Sequence, residues 1–175
     1  NISMKKKILV AGGTGYIGSH TTVELQNAGY EVVIIDDLSN SNIEVLDGIE
    51  KITGVRPIFI QLDLKDKEGT RKALAANPGI EGVILFAASK AVGESVKQPL
   101  KYYRNNITTL INILELMPEF NMKGIVFSSS CTVYGQPDPQ NLPVTEEAPI
   151  KPALSPYGNT KQINEEIIHD TIHAN

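Results

Sequence analysis

The stretch that decides the fold is Ile8-Leu-Val-Ala-Gly-Gly-Thr-Gly-Tyr-Ile-Gly-Ser-His20. A short apolar run is followed by a glycine-rich turn and then by helical spacing. The glycines read either as Gly12-x-x-Gly15-x-x-Gly18 or as the same pattern begun at Gly13. In either register they allow a tight turn and a close approach of the backbone to a pyrophosphate, which the N–H groups of the helix N-terminus then face. The pattern predicts a dinucleotide-binding turn, with another phosphate ligand as the alternative.

The rest of the chain alternates between two kinds of segment. Five short runs rich in β-branched residues hardly alternate in polarity, as expected of strands covered on both faces: Ile8–Ala11, Val32–Ile35, Ile58–Leu62, Val83–Phe86 and Ile125–Phe127. Segments with helical spacing lie between and after them: 16–28, 43–53, 67–76, one long helix over 92–117, and a last one from Tyr157 to Asn175. Strand and helix in strict alternation predict a doubly wound, parallel, Rossmann-like α/β sheet.

An acidic pair, Asp36 and Asp37, ends the second predicted strand. A carboxylate at this place accepts hydrogen bonds from both ribose hydroxyls of the adenosine and repels a 2′-phosphate, so NAD is favoured over NADP. Asp37 adds to the repulsion. The alternative is that the two residues only open a turn before Ser39.

A second group of residues has the chemistry of a proton acceptor. Residues 135–156 hold six of the ten prolines, which predicts a long loop at the rim of an active site. Tyr157 and Lys161 follow it, four residues apart and therefore on one helix face. A tyrosine has an ordinary pKa near 10, and a neighbouring ammonium favours its phenolate, which can take a proton from an alcohol. Ser130, after the fifth strand, is expected to hydrogen-bond the same oxygen.

Composition restricts the class of protein without naming a function. The 175 residues carry 16 Lys and Arg against 20 Asp and Glu, a net charge of −4, and 41% are hydrophobic. No apolar run approaches the ~20 residues that cross a bilayer, and the mild acidity gives no reason to expect nucleic acid as a partner. The single cysteine, Cys131, fits a reducing, cytoplasmic compartment and is expected to be buried. His169 and His173 are interpreted as a solvated helix face, so no metal is expected.

Together these motifs resemble the extended short-chain dehydrogenase/reductase family, within its nucleotide-sugar epimerase branch. The resemblance covers residues 7–166. It rests on six segments: 12–20, 36–41, Phe86-Ala-Ala-Ser-Lys-Ala-Val-Gly-Glu-Ser95, 102–106, Phe127-Ser-Ser-Ser-Cys-Thr-Val-Tyr-Gly135 and 155–161.

The resemblance implies an isomerase of galactose metabolism. Its reaction would be epimerisation at C4 of a UDP-hexose, interconverting UDP-galactose and UDP-glucose through a transient 4-keto sugar with bound NAD. Tyr157 would be the proton acceptor, Lys161 its partner and a ligand of the nicotinamide ribose, and Ser130 a hydroxyl beside the sugar 4-OH; Lys90 would also contact substrate. The remaining cofactor contacts would come from Gly12, Gly15, Tyr16, Ile17, Gly18, Asp36, Asp37, Asn40, Ser41, Asp63, Leu64, Phe86, Ala87, Ala88, Lys90 and Asn105.

The same resemblance implies a homodimer through the 92–117 and 157–175 helices and a second, smaller substrate domain. Asn1–Ser3 precede a methionine and are expected to be a vector-derived remnant. Residues 4–175 are then an NAD-binding domain truncated before its last strands, with the substrate domain absent, and such a fragment alone is expected to be inactive.

Two departures from the family pattern and several alternative functions affect the functional interpretation. Asp37 stands where the family usually has Asn, and Ala88-Ser89 replaces a commoner Gly-Leu pair. Related dehydratases carry an Asp-Glu pair where this chain has Cys131 and Thr132, so elimination lacks its acid and base. An epimerase of N-acetylated, uronic or pentose sugars, or a non-catalytic NAD-binding module, remains open.

Overall fold

The computed structural model describes residues 4–174, so the predictions for Asn1–Ser3 and Asn175 lie outside the described residues. The elements are β1 Lys7–Ala11, α1 Tyr16–Asn27, β2 Glu31–Asp36, α2 Val45–Thr53, β3 Ile58–Gln61, α3 Lys67–Ala76, β4 Ile80–Leu85, α4 Val92–Lys97, α5 Pro99–Glu119, β5 Gly124–Phe127 and α6 Pro156–Ala174. Two short 3-10 turns lie between β5 and α6, at Cys131–Tyr134 and Pro139–Asn141.

The described chain divides into two compact units. The first holds everything up to Ala87 together with Ile111–Ser128, and so contains all five strands and α1 to α3. The second holds Ala88–Leu110 and everything from Ser129 onward, and so contains α4, the N-terminal half of α5, the long loop and α6.

The sheet of the first unit confirms the predicted α/β class. Its strand order is β3-β2-β1-β4-β5, and every neighbouring pair is parallel. Because parallel strands end at the same edge, the residues that follow β1, β2, β3 and β4 all lie along the carboxyl edge of the sheet. The glycine turn, Asp36 and Asp63 therefore share that edge.

The central strands are buried on both faces, as their unbroken apolar sequences predict. Leu9 and Val33 point to one face, Val10 and Ile34 to the other, and all four are 0% exposed. The second of these faces packs against Leu46 and its neighbours on α2. Each such side chain contributes roughly 1.5–3 kcal/mol when it leaves water, so the middle strands are the best stabilised part of the sheet.

The single long helix predicted over 92–117 is wrong. The structure has two helices, α4 and α5, separated at Gln98, whose backbone has φ −132° and ψ 62°. The cause is Pro99, because its ring disfavours the helical conformation of the preceding residue and it has no N–H to continue the helix. The predicted loop over 135–156 is confirmed as irregular apart from the short turn at Pro139–Asn141.

Candidate active site

The turn after β1 requires glycine for two different reasons. Gly12 has a left-handed backbone (φ 82°), and a Cβ there would lie 2.6 Å from the Ala87 nitrogen. A Cβ on Gly18, in the first turn of α1, would overlap the Gly12 carbonyl oxygen and lie 2.9 Å from the Gly13 Cα. The turn is therefore folded against the start of its own helix, which only residues without side chains permit.

The N-terminus of α1 is open to a ligand. The helix begins after Gly15, and no side chain of the described residues caps it. Tyr16 and Ile17, its first two residues, are 80% and 53% exposed. Unpaired N–H groups at such a terminus attract an anion, so the arrangement fits the pyrophosphate of a dinucleotide.

Asp36 is tied to the glycine turn. One carboxylate oxygen accepts the Thr14 N–H at 3.2 Å and the other the Leu38 N–H at 2.9 Å. The Thr14 hydroxyl lies 2.6 Å from the hydroxyl of Ser41. Thr14, 2% exposed, is a member of the site that the sequence analysis missed, although its place between two motif glycines was the available signal.

The neighbouring residues predicted to contact the cofactor are more exposed. Asp37 accepts the Ser39 N–H at 3.0 Å, and both Asp37 and Asn40 are exposed. This bond of Asp37 thus stays within its own segment, whereas Asp36 and Ser41 join the end of β2 and the residues after it to the glycine turn.

The ends of β3 and β4 supply the other predicted contacts of the first unit. Asp63 bonds the backbone N–H and the ammonium of Lys65, each at 2.9 Å. Burial acts to raise the pKa of Asp63, but the bonds from Lys65 outweigh it and keep the pKa below its ordinary value. Leu64 is buried, and the N–H groups of Phe86 and Ala87 both donate to the Ala11 carbonyl.

Tyr157 and Lys161 lie together on the first turns of α6, in the second unit. The Lys161 nitrogen is 5.9 Å from the centre of the Tyr157 ring. Lys161 is only 4% exposed, and burial, helped by the charge of Lys90, lowers its pKa to about 8. The ammonium and the phenol ring are thus neighbours on one face of α6.

Ser130 approaches the same turn through Thr132. The Ser130 hydroxyl accepts the N–H and the hydroxyl of Thr132, at 3.2 and 2.9 Å. Thr132 in turn lies against Gly158, where an added Cβ would be 3.2 Å from its side chain. The structure therefore brings Ser130 towards the residue that follows Tyr157.

Cys131 is exposed, contrary to the expectation of a buried residue. It begins the 3-10 turn Cys131–Tyr134, of which Val133 is the buried member. Three residues per turn leave one side chain inside and turn the cysteine outward.

The last predicted cofactor contacts belong to the loop between β4 and α4 and to α5. Lys90 is exposed and Ala88 half-buried. Asn105 donates its amide to the Ser89 hydroxyl at 3.0 Å. Asn106, the next residue and 2% exposed, was not predicted, although it hydrogen-bonds both backbone groups of Ser89.

Residues 4–174 lack both a metal-binding cluster of side chains and a membrane-spanning helix. There, no cluster of three or more His, Cys, Asp or Glu side chains has metal-binding geometry. His169 and His173 stack at 4.2 Å on the exposed side of α6. Within the same range, no helix has both the length and the apolar character needed to span a bilayer.

The sheet order and the glycine turn define a Rossmann-like α/β domain, to which the second unit adds a Tyr-x-x-x-Lys helix. A family model described as the NAD dependent epimerase/dehydratase family matches residues 8–175. The chain therefore belongs to that family.

Several curated relatives are named UDP-glucose 4-epimerase. UDP-glucose 4-epimerase of Bacillus subtilis is 52% identical over 163 residues, which are 93% of this chain and 47% of that protein. The chain thus spans about half the length of the curated relatives it matches. The domain limits predicted from the sequence stay a prediction.

Solved structures resemble the fold closely. UDP-glucose 4-epimerase from Bifidobacterium longum, in complex with NAD+ and UDP, matches with a TM-score of 0.92 and 42% identity, over 97% of this chain and 50% of that one. The enzyme from Stenotrophomonas maltophila, with bound NAD and formylated UDP-arabinopyranose, matches with 0.88 and 44%, over 94% and 48%.

Proposed function

We propose that the natural protein uses NAD to epimerise a UDP-hexose at C4, interconverting UDP-galactose and UDP-glucose through a 4-keto sugar, as a step of galactose metabolism. The observation that carries the proposal is the buried Lys161, one helical turn from Tyr157. Burying an ammonium costs free energy, and groups perturbed in this way cluster at functional sites. The relatives named above support the choice of substrate.

The residues divide into binding and chemical roles. Tyr157 accepts the proton of the sugar 4-hydroxyl on its phenolate oxygen and returns it to the alcohol of the epimer. The charge of Lys161 stabilises that phenolate, and the Ser130 hydroxyl donates to the sugar oxygen while it is a carbonyl. Lys90 supplies a second positive charge for the substrate.

The glycine turn supports NAD as the cofactor. The uncapped start of α1 suits the pyrophosphate, and Asp36 suits the adenosine ribose and disfavours a 2′-phosphate. NAD, when bound, supplies the hydride acceptor and, on reversal, the donor.

The direct test is turnover by the natural protein. Incubated with UDP-galactose and NAD, it is expected to form UDP-glucose until the two sugars reach equilibrium, as measured by chromatography of the nucleotide sugars. Tight NAD binding without conversion would contradict the proposal and identify a non-catalytic module. Conversion of only N-acetylated, uronic or pentose UDP-sugars would move the specificity to those substrates.

Replacing Lys161 by methionine is expected to stabilise the fold while it removes activity. The lowered pKa means that burial of the Lys161 charge destabilises the folded protein at pH 7. Lys161→Met removes that charge, so its free energy of unfolding at pH 7 is expected to be roughly 1–3 kcal/mol higher than that of the wild type. Between pH 8 and 10.5 the unfolded chain still binds a proton that folded Lys161 has released. The wild type therefore becomes more stable as pH rises through this range, and the advantage of the variant shrinks.

Urea unfolding at pH 7 and at pH 10 measures the stabilisation by Lys161→Met and its decrease with rising pH. Lys97→Met, the same change at an exposed position of α4, is the matched control and is expected to leave stability nearly unchanged. A Lys161→Met variant that is less stable than the wild type at pH 7 would contradict the assignment of a costly buried charge.

Exposed apolar side chains on α4, α5 and α6 support a homodimer as part of the proposal. Val96, Leu100 and Ile172 are 62%, 79% and 65% exposed. A second copy of the chain would remove them from water. Sedimentation of the natural protein measures the state.

A further inference from the structure

The loop that carries Lys90 is held from both sides by one face of α5. Tyr102 and Asn106 are four residues apart, so their side chains project from the same face of the helix. Asn106 bonds the backbone of Ser89 and Tyr102 bonds the backbone of Ala91. The two residues adjacent to Lys90 are thus both anchored, and all of these residues belong to the second unit.

Asn106 anchors Ser89 by two bonds. Its amide oxygen accepts the Ser89 N–H at 2.8 Å, and its amide nitrogen donates to the Ser89 carbonyl at 3.2 Å. The same nitrogen donates to the Thr160 hydroxyl on α6 at 3.0 Å. The segment before Lys90 is thereby connected to the residue that precedes Lys161.

Tyr102 anchors Ala91 through its hydroxyl. The oxygen accepts the Ala91 N–H at 3.1 Å, and the hydroxyl donates to a Glu94 carboxylate oxygen at 2.6 Å. The ring is 0% exposed, and burial together with the bond to Glu94 raises the pKa of Tyr102. The phenol therefore stays protonated at neutral pH, as this donor-and-acceptor arrangement requires.

The side chain of Lys90 is exposed, so packing does not determine where its ammonium stands. Its position depends on the backbone that Tyr102 and Asn106 hold. The position of this ammonium matters because the positive charge of Lys90 helps to lower the pKa of the buried Lys161. Other titratable groups also belong to these elements. Tyr157 lies on the same helix as Lys161. The Glu94 carboxylate accepts hydrogen bonds from the Lys101 ammonium, at 2.7 Å, and from the Tyr102 hydroxyl.

We propose that Tyr102 is a positioning residue: its hydroxyl, with the Asn106 amide, fixes the backbone around Lys90 so that the Lys90 ammonium is preset for the reaction. The contribution to activity rests on the proposed function, whereas the anchoring itself does not. Tyr102→Phe is the selective test, because it keeps the buried ring and removes only the hydroxyl. Tyr30→Phe, the same change between α1 and β2 in the first unit, is the matched control.

The anchoring is measured by hydrogen exchange on the natural protein. In Tyr102→Phe the peptide containing Ala91 is expected to exchange about tenfold faster, while peptides of β1 and α6 exchange as in the wild type. Unchanged exchange at Ala91 overturns the proposal, and faster exchange throughout the second unit reduces Tyr102 to a role in folding, which also overturns it.

The functional part is measured by a double-mutant cycle with Lys90→Ala. Tyr102→Phe is expected to lower kcat/KM about threefold to tenfold in the wild-type background and to change it little once Lys90 is gone. Losses that multiply in the double variant overturn the proposal, since Tyr102 then acts independently of Lys90. Absence of epimerase activity in the wild type contradicts the proposed function instead, and the exchange measurement still decides whether Tyr102 holds the loop.

Discussion

Tyr157→Phe is expected to lower kcat for the interconversion of UDP-galactose and UDP-glucose by about 100-fold to 10,000-fold. Phenylalanine keeps the ring and removes the oxygen that accepts the proton, and positioned general bases contribute factors of this size. The Tyr157 backbone N–H donates to the Ser95 hydroxyl at 3.1 Å, a bond that the substitution leaves intact. The loss is therefore expected in kcat with little change in stability.

The measurement combines steady-state turnover with NAD binding and thermal unfolding. Tyr30→Phe is the control, because it removes a tyrosine hydroxyl from a residue distant in sequence from Tyr157. This variant is expected to turn over substrate at the wild-type rate. Undiminished turnover by Tyr157→Phe would remove Tyr157 from its proposed role, and a matching fall in stability would assign the loss to folding.

Gly18→Ala is expected to weaken NAD binding about tenfold to 100-fold and to lower the unfolding temperature. The new Cβ would overlap the Gly12 carbonyl oxygen and lie 2.9 Å from the Gly13 Cα, and both are backbone atoms of the turn. Because the turn cannot move away as a flexible side chain would, it must open, and overpacking of this kind costs roughly 1–3 kcal/mol. Calorimetric titration with NAD measures the loss.

Gly48→Ala is the matched control, since Gly48 is also a helical glycine of the first unit. It is exposed on α2, and a Cβ there has no atom within 4 Å. Alanine in an exposed helix gains up to about 1 kcal/mol over glycine, so this variant is expected to be slightly more stable and to bind NAD normally. If Gly18→Ala bound NAD as well as Gly48→Ala does, the close fit of the turn would have no part in binding.

Much of the fold follows from local pattern. Runs such as Val32–Ile35 are rich in β-branched residues and apolar at successive positions, as expected of a strand covered on both faces, and the sheet buries them. Pro99 is an equally local signal, but the apolar spacing continues on both sides of it and predicts one helix where the structure has two. A local steric rule prevailed there over a longer periodicity.

The candidate site is predictable only in part, because only some of its residues are required by the local backbone conformation. Glycines and an acid in the order of a nucleotide-binding turn can be recognised in the sequence, because the backbone geometry of the turn restricts which residues fit there. The bond from Thr14 to Asp36, across 22 residues of sequence, has no such local requirement. Nor does the pairing of Asn106 with Ser89 and Thr160.

By itself the sequence determined the α/β class, the glycine turn after β1 and the placement of Tyr157 and Lys161 on one helix, because each depends on residues close together along the chain. Only the tertiary structure decided the environment of those residues. It buried Lys161, lowered its pKa to about 8 and anchored the backbone around Lys90. Desolvation and hydrogen-bond geometry depend on neighbours brought together by folding, and these set how strongly each group holds its proton.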